Sequence, residues 1–311
     1  MRLCSFHQRD AVRVGVVVGE WVVDLDRAAE AAGADSWPRG VDMRGLLERG
    51  QAALEAARRL TDDAAKRLQS GEEESLLSGG LVLRAAETKF AAPVPNPSKV
   101  VAVGLNYRDH AREQGTRIPD RPIIFAKFPT SVIGPGDEIV WDPALTGQVD
   151  YEAELAFVMG RVARSVPQER AYDYIGGYTC LNDVSARDLQ FGDRQWVRGK
   201  SLDTFCPLGP VLVTTDEIAD PHRLRIRAVL NGEVMQDSNT SELIFGVPEL
   251  VAFISRAFTL LPGDVVATGT PAGVGVFRDP PVFMKDGDRV AIEIEGIGRL
   301  ENVCRTVAAS R

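Results

Sequence analysis

The first chemical signal in the sequence is a run of acids with the period of a β-strand. In VDYEAELAFVM, residues 149–159, alternate side chains of a strand share a face. Val149, Tyr151, Ala153, Leu155 and Phe157 then form an apolar face, and Asp150, Glu152 and Glu154 stand together on the other. Same-face positions lie about 6.5–7 Å apart, close enough for two glutamates to converge on one cation. The alternative is the solvated outer face of an edge strand. Against it stand the repulsion of neighbouring like charges, with no Lys or Arg between them, and the apolar continuation through Ala156, Val158 and Met159. Hard carboxylate oxygens favour Mg²⁺, Mn²⁺ or Ca²⁺ over zinc. A further carboxylate, Asp183, sits in GGYTCLNDVSARDLQ, where a strand-like run gives way to a helix. It either faces an ion or caps the helix, a role that Asn and Asp both favour. The two roles can also coexist, with Asn182 as the cap and Asp183 on the ion.

An acid–base group is available in NYRDHAREQG. His110 and Glu113 are three residues apart and share a face if the segment is helical. A carboxylate beside an imidazole orients it and raises its basicity, as a water-activating base requires. On spacing alone, an exposed charged helix is the simpler reading. The other two histidines, His7 in a strand-like stretch and His222 after a proline, read as structural. The loop GTPAGVG lacks both the Gly-Lys-Ser/Thr ending and the spacing of phosphate-binding loops. It reads as a tight turn presenting the Thr270 hydroxyl and backbone N–H groups to a ligand, or as a plain turn.

Composition bounds what such a site serves. The 311 residues suffice for one large core, or for a main domain with a smaller one. A net charge of -8 repels phosphate backbones, so no nucleic-acid partner is expected. A small anionic substrate remains compatible, because a bound metal reverses the sign locally. No apolar run approaches the roughly 20 residues that span a bilayer, so no membrane partner is expected. The opening MRLCSFHQRD shows no apolar signal core, and a cytoplasmic protein is expected. Cys4, Cys180, Cys206 and Cys304 are scattered and read as small buried hydrophobes.

The elements that must position these residues divide unevenly along the chain. Residues 12–23 predict two short strands about a Gly-Glu turn, and 26–33 and 42–60 predict helices. The polar stretch 62–80, with its acidic run at 72–74, reads as a solvated face or linker and places a boundary at 80. Residues 81–97 read as an extended lead-in, marked by the three prolines of AAPVPNPSK at 91–99. From 98 to 311 the chain is mostly β-branched, with helices at 106–115, 167–174, 185–191 and 247–258. Asn231-Gly232 predicts a hairpin, and DRVAIEIEGIGRLENVCRTV a closing one. Strands that do not alternate with helices argue against a doubly wound parallel sheet. The expected fold is α+β and β-rich. A mixed, mostly antiparallel sheet forms a sandwich or roll over 98–311, after a small N-terminal domain of strands and helices over 1–80.

KVVAVGLNYRDHAREQG, PIIFAKF, VDYEAELAFVMG, GGYTCLNDVSARDLQ, GKSLDTFCPLGP and PGDVVATGTPAGVG, in this order, resemble the fumarylacetoacetate hydrolase family. TPAGVGVFRDPPVFMKDGDRV resembles its fumarylacetoacetate hydrolase domain-containing protein 2 branch. The resemblance spans about residues 98–307 and implies a fumarylacetoacetase-like catalytic domain. It implies Glu152, Glu154 and Asp183 as ligands of Mg²⁺ or Mn²⁺, with Ca²⁺ as a substitute in crystals. It implies Lys200 and Lys127 at the substrate oxygens, with Arg187 and Gln190 nearby. Arg187 would grip a substrate carboxylate or hold Asp183 from behind. Thr270 would join Lys200 in stabilising a developing oxyanion. His110 and Glu113 become a dyad on a mobile lid, with Gly104 and Gly115 as its hinges. The implied protein is a homodimer acting on a small 2-oxo acid. The reaction implied first is hydrolysis of a C–C bond in an acylpyruvate-type 1,3-dioxo acid through a metal-bound enolate. The alternative is an oxaloacetate decarboxylase, tautomerase or 2-hydroxy-dienoate isomerase using the same site. On this reading, losing either Glu152 or Glu154 spares the fold.

Overall fold

The apolar, β-branched segments pair as the sequence predicts, and their order in space decides where the acids go. The computed structural model describes residues 1–34 and 37–307. A twelve-stranded sheet runs, in spatial order, Val82–Arg84, Trp21–Asp24, Ala11–Val18, Arg2–Gln8, Cys206–Thr214, Ile175–Asn182, Ala153–Met159, Val265–Ala267, Val100–Gly104 and Ile123–Lys127. Two short strands lie off this path. A five-stranded sheet has the order Glu233–Asn239, Arg225–Leu230, Arg289–Ile294, Gly298–Thr306 and Glu138–Trp141. Most pairings are antiparallel. Val265–Ala267 on Val100–Gly104 and Gly298–Thr306 on Glu138–Trp141 are parallel. The expected β-rich α+β fold is observed, and among the described residues no sheet closes into a barrel. Asn231 and Gly232 take φ of 52° and 87°, the left-handed pair that a two-residue hairpin requires.

The strand Ala153–Met159 is buried on both faces, and its period of two divides its side chains between two cores. Leu155, Phe157 and Met159 pack with Ile226, Val290, Ile292 and Leu300 from the smaller sheet. Ala156 and Val158 join Leu46, Leu47, Leu60 and Leu212 on the opposite side, under the N-terminal helices. A strand enclosed this way holds its ends firmly, and its N-terminal end carries the glutamates.

The front of the chain departs from expectation in two places. The helix expected over 42–60 splits into Met43–Glu48 and Gly50–Gln69, because Gly50 takes a left-handed φ of 68°. The second helix runs into the stretch expected to be a linker, and Glu73–Ser78 is helical as well. Ala53, Ala57, Leu60 and Ala64 recur at helical spacing and bury one face of Gly50–Gln69, which outweighs the polar composition of the other. The boundary at 80 separates segments of chain but not sheets. Arg2–Gln8 pairs with Cys206–Thr214, Arg2 opposite Val213, and Val82–Arg84 extends the same sheet.

Phe157 is fully buried in the core between the sheets. Phe157→Ala should lower unfolding stability by about 3–5 kcal/mol. Val162→Ala, at a site 57% exposed, should change it by less than about 0.5 kcal/mol. Urea titration of both variants measures the difference, and equal losses would contradict the burial described here.

Candidate metal and acid–base site

The acids converge because two strand ends meet. Val149–Asp150 pairs with Ser185–Ala186, the ladder is interrupted at Tyr151 and Glu152, and Ala153–Met159 then pairs with Ile175–Asn182 in the same register. Ala153 faces Asn182, which sets Glu152 across from Asp183. The Asp183 N–H donates to the Glu152 carbonyl at 2.9 Å, and the Asn182 Oδ1 accepts from the Glu152 N–H at 3.0 Å. Glu152, Glu154 and Asp183 each offer a carboxylate oxygen, and these oxygens lie within 4.8 Å of one another. All three side chains are buried, so the solvated-edge reading falls. The capping reading falls too. The helix Arg187–Asp193 has Ala186 at its N-cap and no side-chain cap, so neither Asn182 nor Asp183 caps it.

Asp150 leaves the group of same-face acids. The break in the strand turns it to the 269–276 loop, where it accepts from the N–H groups of Gly275 and Val276 at 2.8 and 3.0 Å. It also accepts from Arg187 Nε at 2.9 Å. Arg187 Nη1 reaches Glu152 at 2.7 Å and Gln190 Oε1 at 3.0 Å. Arg187 therefore braces Asp150 and Glu152, and does not contact Asp183 as one implied role required. Lys200 Nζ donates to Glu152 and to Asp183, both at 2.8 Å. Lys127 lies behind Asp183. Its Nζ donates to Asp183 Oδ1 at 2.6 Å, to the Val184 carbonyl at 3.2 Å and to the Lys200 carbonyl. Lys127 is thus no substrate contact in this arrangement but a brace for one ligand.

Asp150, Glu152, Glu154 and Asp183 meet Arg187, Lys127 and Lys200, which leaves one carboxylate in excess. That carboxylate is Glu154, whose hydrogen-bond donor is the Gly269 N–H at 2.8 Å. Burial, then the neighbouring Asp183 and Glu152, push its carboxyl well above the usual carboxylate range. Burial acts the same way on Glu152, but Lys200 and Arg187 outweigh it and bring that group down to about 2. A hard divalent cation fits here by donor type, by convergence and by charge. Three carboxylates also leave positions on an octahedral ion for substrate and water.

A candidate acid–base pair stands opposite. His110 lies on the helix Arg108–Glu113 and is 6% exposed. Its Nδ1 is 2.9 Å from Glu113 Oε2, and Glu113 Oε1 accepts from the Gly273 N–H at 2.8 Å. The dyad expected from the resemblance is thus present. Gly273 adopts φ of 102°, and a Cβ there would lie 2.3 Å from the Met235 carbonyl oxygen. Gly104 packs against Trp196, whose ring a Cβ there would strike at 2.3 Å. The helix is tied to residues 241–245. Arg108 Nη1 donates to the Leu243 carbonyl at 2.6 Å, and Asn106 Oδ1 accepts from the Phe245 N–H at 2.8 Å.

The GTPAGVG loop spends its backbone on the protein's own carboxylates, since the N–H groups of Gly269, Gly273 and Gly275 go to Glu154, Glu113 and Asp150. Thr270 does reach the cavity, and its Oγ1 accepts from Gln236 Nε2 at 2.8 Å. The cavity holds about 190 Å³, lined by the triad, Lys200, Arg187, Gln190, Thr270 and His110, with Val103, Leu105, Phe125, Trp196 and Phe277 as apolar wall. A larger cleft of about 310 Å³ beside the helix Gly50–Gln69 contains none of these groups. Gln114, which also lines the site, escaped sequence reading. Its i, i+4 spacing from His110 is the signal that would have found it. His7 lies exposed on its strand, and His222 Nε2 accepts from the Val247 N–H at 3.0 Å. The four cysteines are free and buried, as expected.

A buried carboxylate triad that could hold a metal ion faces a hydrogen-bonded His–Glu pair at the strand ends of a mixed β-sheet, an arrangement found with the fold of a family of enzymes. The chain belongs to the fumarylacetoacetate hydrolase family, whose description "Fumarylacetoacetate (FAA) hydrolase C-terminal" matches residues 99–305. It is 47% identical over 259 residues to oxaloacetate tautomerase FAHD2A, mitochondrial, of Bos taurus, covering 83% of this chain and 77% of the relative. It is 46% identical to oxaloacetate tautomerase YisK of Bacillus subtilis over 227 residues, covering 72% of this chain and 75% of the relative. Among solved structures, maleylpyruvate hydrolase from Sphingobium sp. SYK-6, in complex with manganese(II) and pyruvate, superposes with a TM-score of 0.72 at 32% identity. That match covers 98% of this chain and 99% of the other. Among the described residues, no helix is long and apolar enough to cross a membrane.

The two glutamates should behave differently, although the sequence alone leads to the expectation that losing either one spares the fold. Glu152→Ala takes from Lys200 and Arg187 one of the two buried carboxylates that each pairs with, leaving Asp183 and Asp150, and should destabilise by about 1–3 kcal/mol. Glu154→Gln removes the carboxylate in excess and should leave the metal-free protein at least as stable, while abolishing tight Mg²⁺ or Mn²⁺ binding. Melting curves and metal titrations of the two variants measure this, and equal destabilisation would refute the assignment of charges.

Metal binding should also release a proton. Burial and the neighbouring Asp183 and Glu152 favour the protonated form of the Glu154 carboxyl, and a cation competes with that proton. Affinity should therefore weaken as pH falls. Calorimetry in two buffers of different ionisation enthalpy reads the released proton directly, and identical heats in both would sink the idea.

Proposed function

We propose that the chain catalyses enol–keto proton transfer on a small 2-oxo acid, with oxaloacetate as its substrate. The observation that carries this reading is a single imidazole, His110, placed across a cavity of about 190 Å³ from three converging carboxylates. Cavities for drug-sized ligands run to about 300–1,000 Å³, so this one suits a molecule with the bulk of a four-carbon diacid. The tautomerase names of the bovine and Bacillus relatives support the same reaction.

A divalent cation held by Glu152, Glu154 and Asp183, Mg²⁺ or Mn²⁺ by donor type, would polarise the 2-oxo group as a Lewis acid. The chain's own residues do the rest. Lys200, Lys127 and Arg187 fix the carboxylates in place. Gln190 and Thr270 offer an amide and a hydroxyl to the substrate's oxygens from the cavity wall. With Nδ1–H held by Glu113, the Nε2 lone pair of His110 takes a proton from the carbon beside the carbonyl in the keto form. Glu113 balances the charge of the resulting imidazolium, which gives a proton back to that carbon in the reverse direction. Val103, Phe125 and Trp196 keep bulk water from this wall.

A second reading, hydrolysis of an acylpyruvate-type acid, has its own support. The His110–Glu113 pair suits the activation of water, and the maleylpyruvate hydrolase structure is similar over nearly its whole length. The wild-type protein with saturating Mg²⁺ should speed the loss of enol oxaloacetate, followed by its ultraviolet absorbance. It should release little pyruvate from acetylpyruvate. His110→Ala should lower the first rate by about 10²–10⁴-fold, the usual contribution of a general base. Rapid pyruvate release from acetylpyruvate, lost in the same variant, would move the assignment to the hydrolase. Rapid pyruvate release from oxaloacetate that survives in the variant would move it to the decarboxylase. An unimpaired variant would return His110 to an ordinary place on a charged helix.

A further inference from the structure

One buried polar side chain reaches the site from the smaller sheet, and the proposed reaction gives it no task. Gln236 stands on the edge strand Glu233–Asn239 and is fully buried. Its Oε1 accepts from the N–H of Ala153, the residue between the two glutamates, at 2.8 Å. Its Nε2 donates to Thr270 Oγ1 and to the Pro271 carbonyl, both at 2.8 Å. These partners fix which way the amide points. A backbone N–H only donates and a carbonyl only accepts. A half-turn of the amide would therefore set donor against donor at Ala153 and acceptor against acceptor at Pro271. Thr270 Oγ1 thus receives a hydrogen from Gln236. The hydroxyl keeps one hydrogen of its own, which an amide nitrogen cannot accept. Among the described residues Oγ1 makes no other hydrogen bond, and Thr270 lines the cavity.

We infer that Gln236 is a positioning residue that commits the Thr270 hydroxyl to donating into the cavity, toward the oxygen that gains charge as the substrate enolises. The inference rests on the reading of this site as one that enolises a 2-oxo acid. An unrestrained threonine hydroxyl turns either its hydrogen or a lone pair to whatever lies nearby. Here the amide takes one lone pair, and two backbone groups hold the amide itself. The hydrogen is left for an acceptor in the cavity, and a 2-oxo acid offers acceptor oxygens. A donor set in advance needs no reorientation when negative charge develops. Gln236 gains and loses no proton. Its contact with Ala153 also ties this donor to the strand of Glu152 and Glu154, so donor and carboxylates keep a common frame.

The test compares Gln236→Met, Thr270→Val and the double variant in the full-length protein with Mg²⁺, following enol oxaloacetate. Methionine keeps the length of the side chain and removes both polar groups. Valine keeps the shape of threonine without its hydroxyl. Thr270→Val should lower kcat by about 10²-fold, the usual cost of one oxyanion donor. Gln236→Met should lower it by about 10-fold, with KM and Mg²⁺ affinity within about 3-fold of wild type. In the Thr270→Val background the same change should cost less than about 3-fold more, because its effect passes through the hydroxyl. A full further loss in the double variant, or a collapse of Mg²⁺ affinity, would show Gln236 acting on the glutamate strand alone and would overturn the inference. Wild-type kcat in Gln236→Met would overturn it too. If Gln236→Met does not fold, the side-chain amide ¹⁵N–H resonances of Gln236 decide. Binding of oxalate with Mg²⁺, verified by calorimetry, should shift them in the wild-type protein and leave them in place in Thr270→Val. Unmoved resonances in the wild type, or an equal shift in both proteins, would refute the link between amide and hydroxyl. A wild-type protein that does not speed the loss of enol oxaloacetate would instead overturn the reading of the reaction, while the oxalate experiment still tests the donor.

Discussion

The structure depends on holding like charges close together in a place that water does not reach. Two unit charges 4 Å apart repel by about 4 kcal/mol at the effective dielectric typical of proteins. Glu152, Glu154 and Asp183 offer oxygens within 4.8 Å of one another. Lys200 touches two of the three, Lys127 sits behind Asp183, and Arg187 joins Glu152 to Asp150. The cations stop one charge short, and the deficit falls at Glu154. The cluster is therefore electrostatically suited to a cation.

The other half of the site answers to the same loop. Residues 269–276 give backbone N–H groups to Glu154, Glu113 and Asp150. One turn of chain thus steadies a metal ligand, the partner of the base and the anchor of Arg187. A motif that resembles a phosphate cradle works as a cradle for side-chain carboxylates. Its glycines follow from that job, since the loop must pass close to the backbone at Met235 and Val282 to reach all three acids.

Much of this could be read from the residues. The alternation in 149–159 exposed the apolar face and the pairing of Glu152 with Glu154, because a strand's period survives burial. It did not reveal that the ladder is interrupted at Tyr151 and Glu152 or that Asp150 turns to the 269–276 loop, since both depend on segments distant in sequence. Nor did it show that Arg187 and Lys127 face inward to carboxylates, as charge partners far apart in sequence leave no periodic trace. The helices were found where apolar spacing was regular. The polar segment 62–78 was misread, because composition there describes the solvent face and a few alanines and leucines describe the buried one. Asp183 looked like a cap because it precedes a helix, but that helix begins too late for it to reach.

The helix bearing the base takes its placement from residues 241–245, through Arg108, Asn106 and the bridge between Tyr107 and Leu243. None of residues 241–245 lines the cavity. The carboxylates sit on a strand locked into two cores, whereas the imidazole takes its place from a segment outside the cavity, whose Leu243 and Phe245 are buried with Tyr107. Natural variation can therefore retune what the enzyme does without touching an active-site residue. Changes in that outer segment would tilt the base over an unchanged floor. Divergence of activity within such a scaffold need not be written where the chemistry happens.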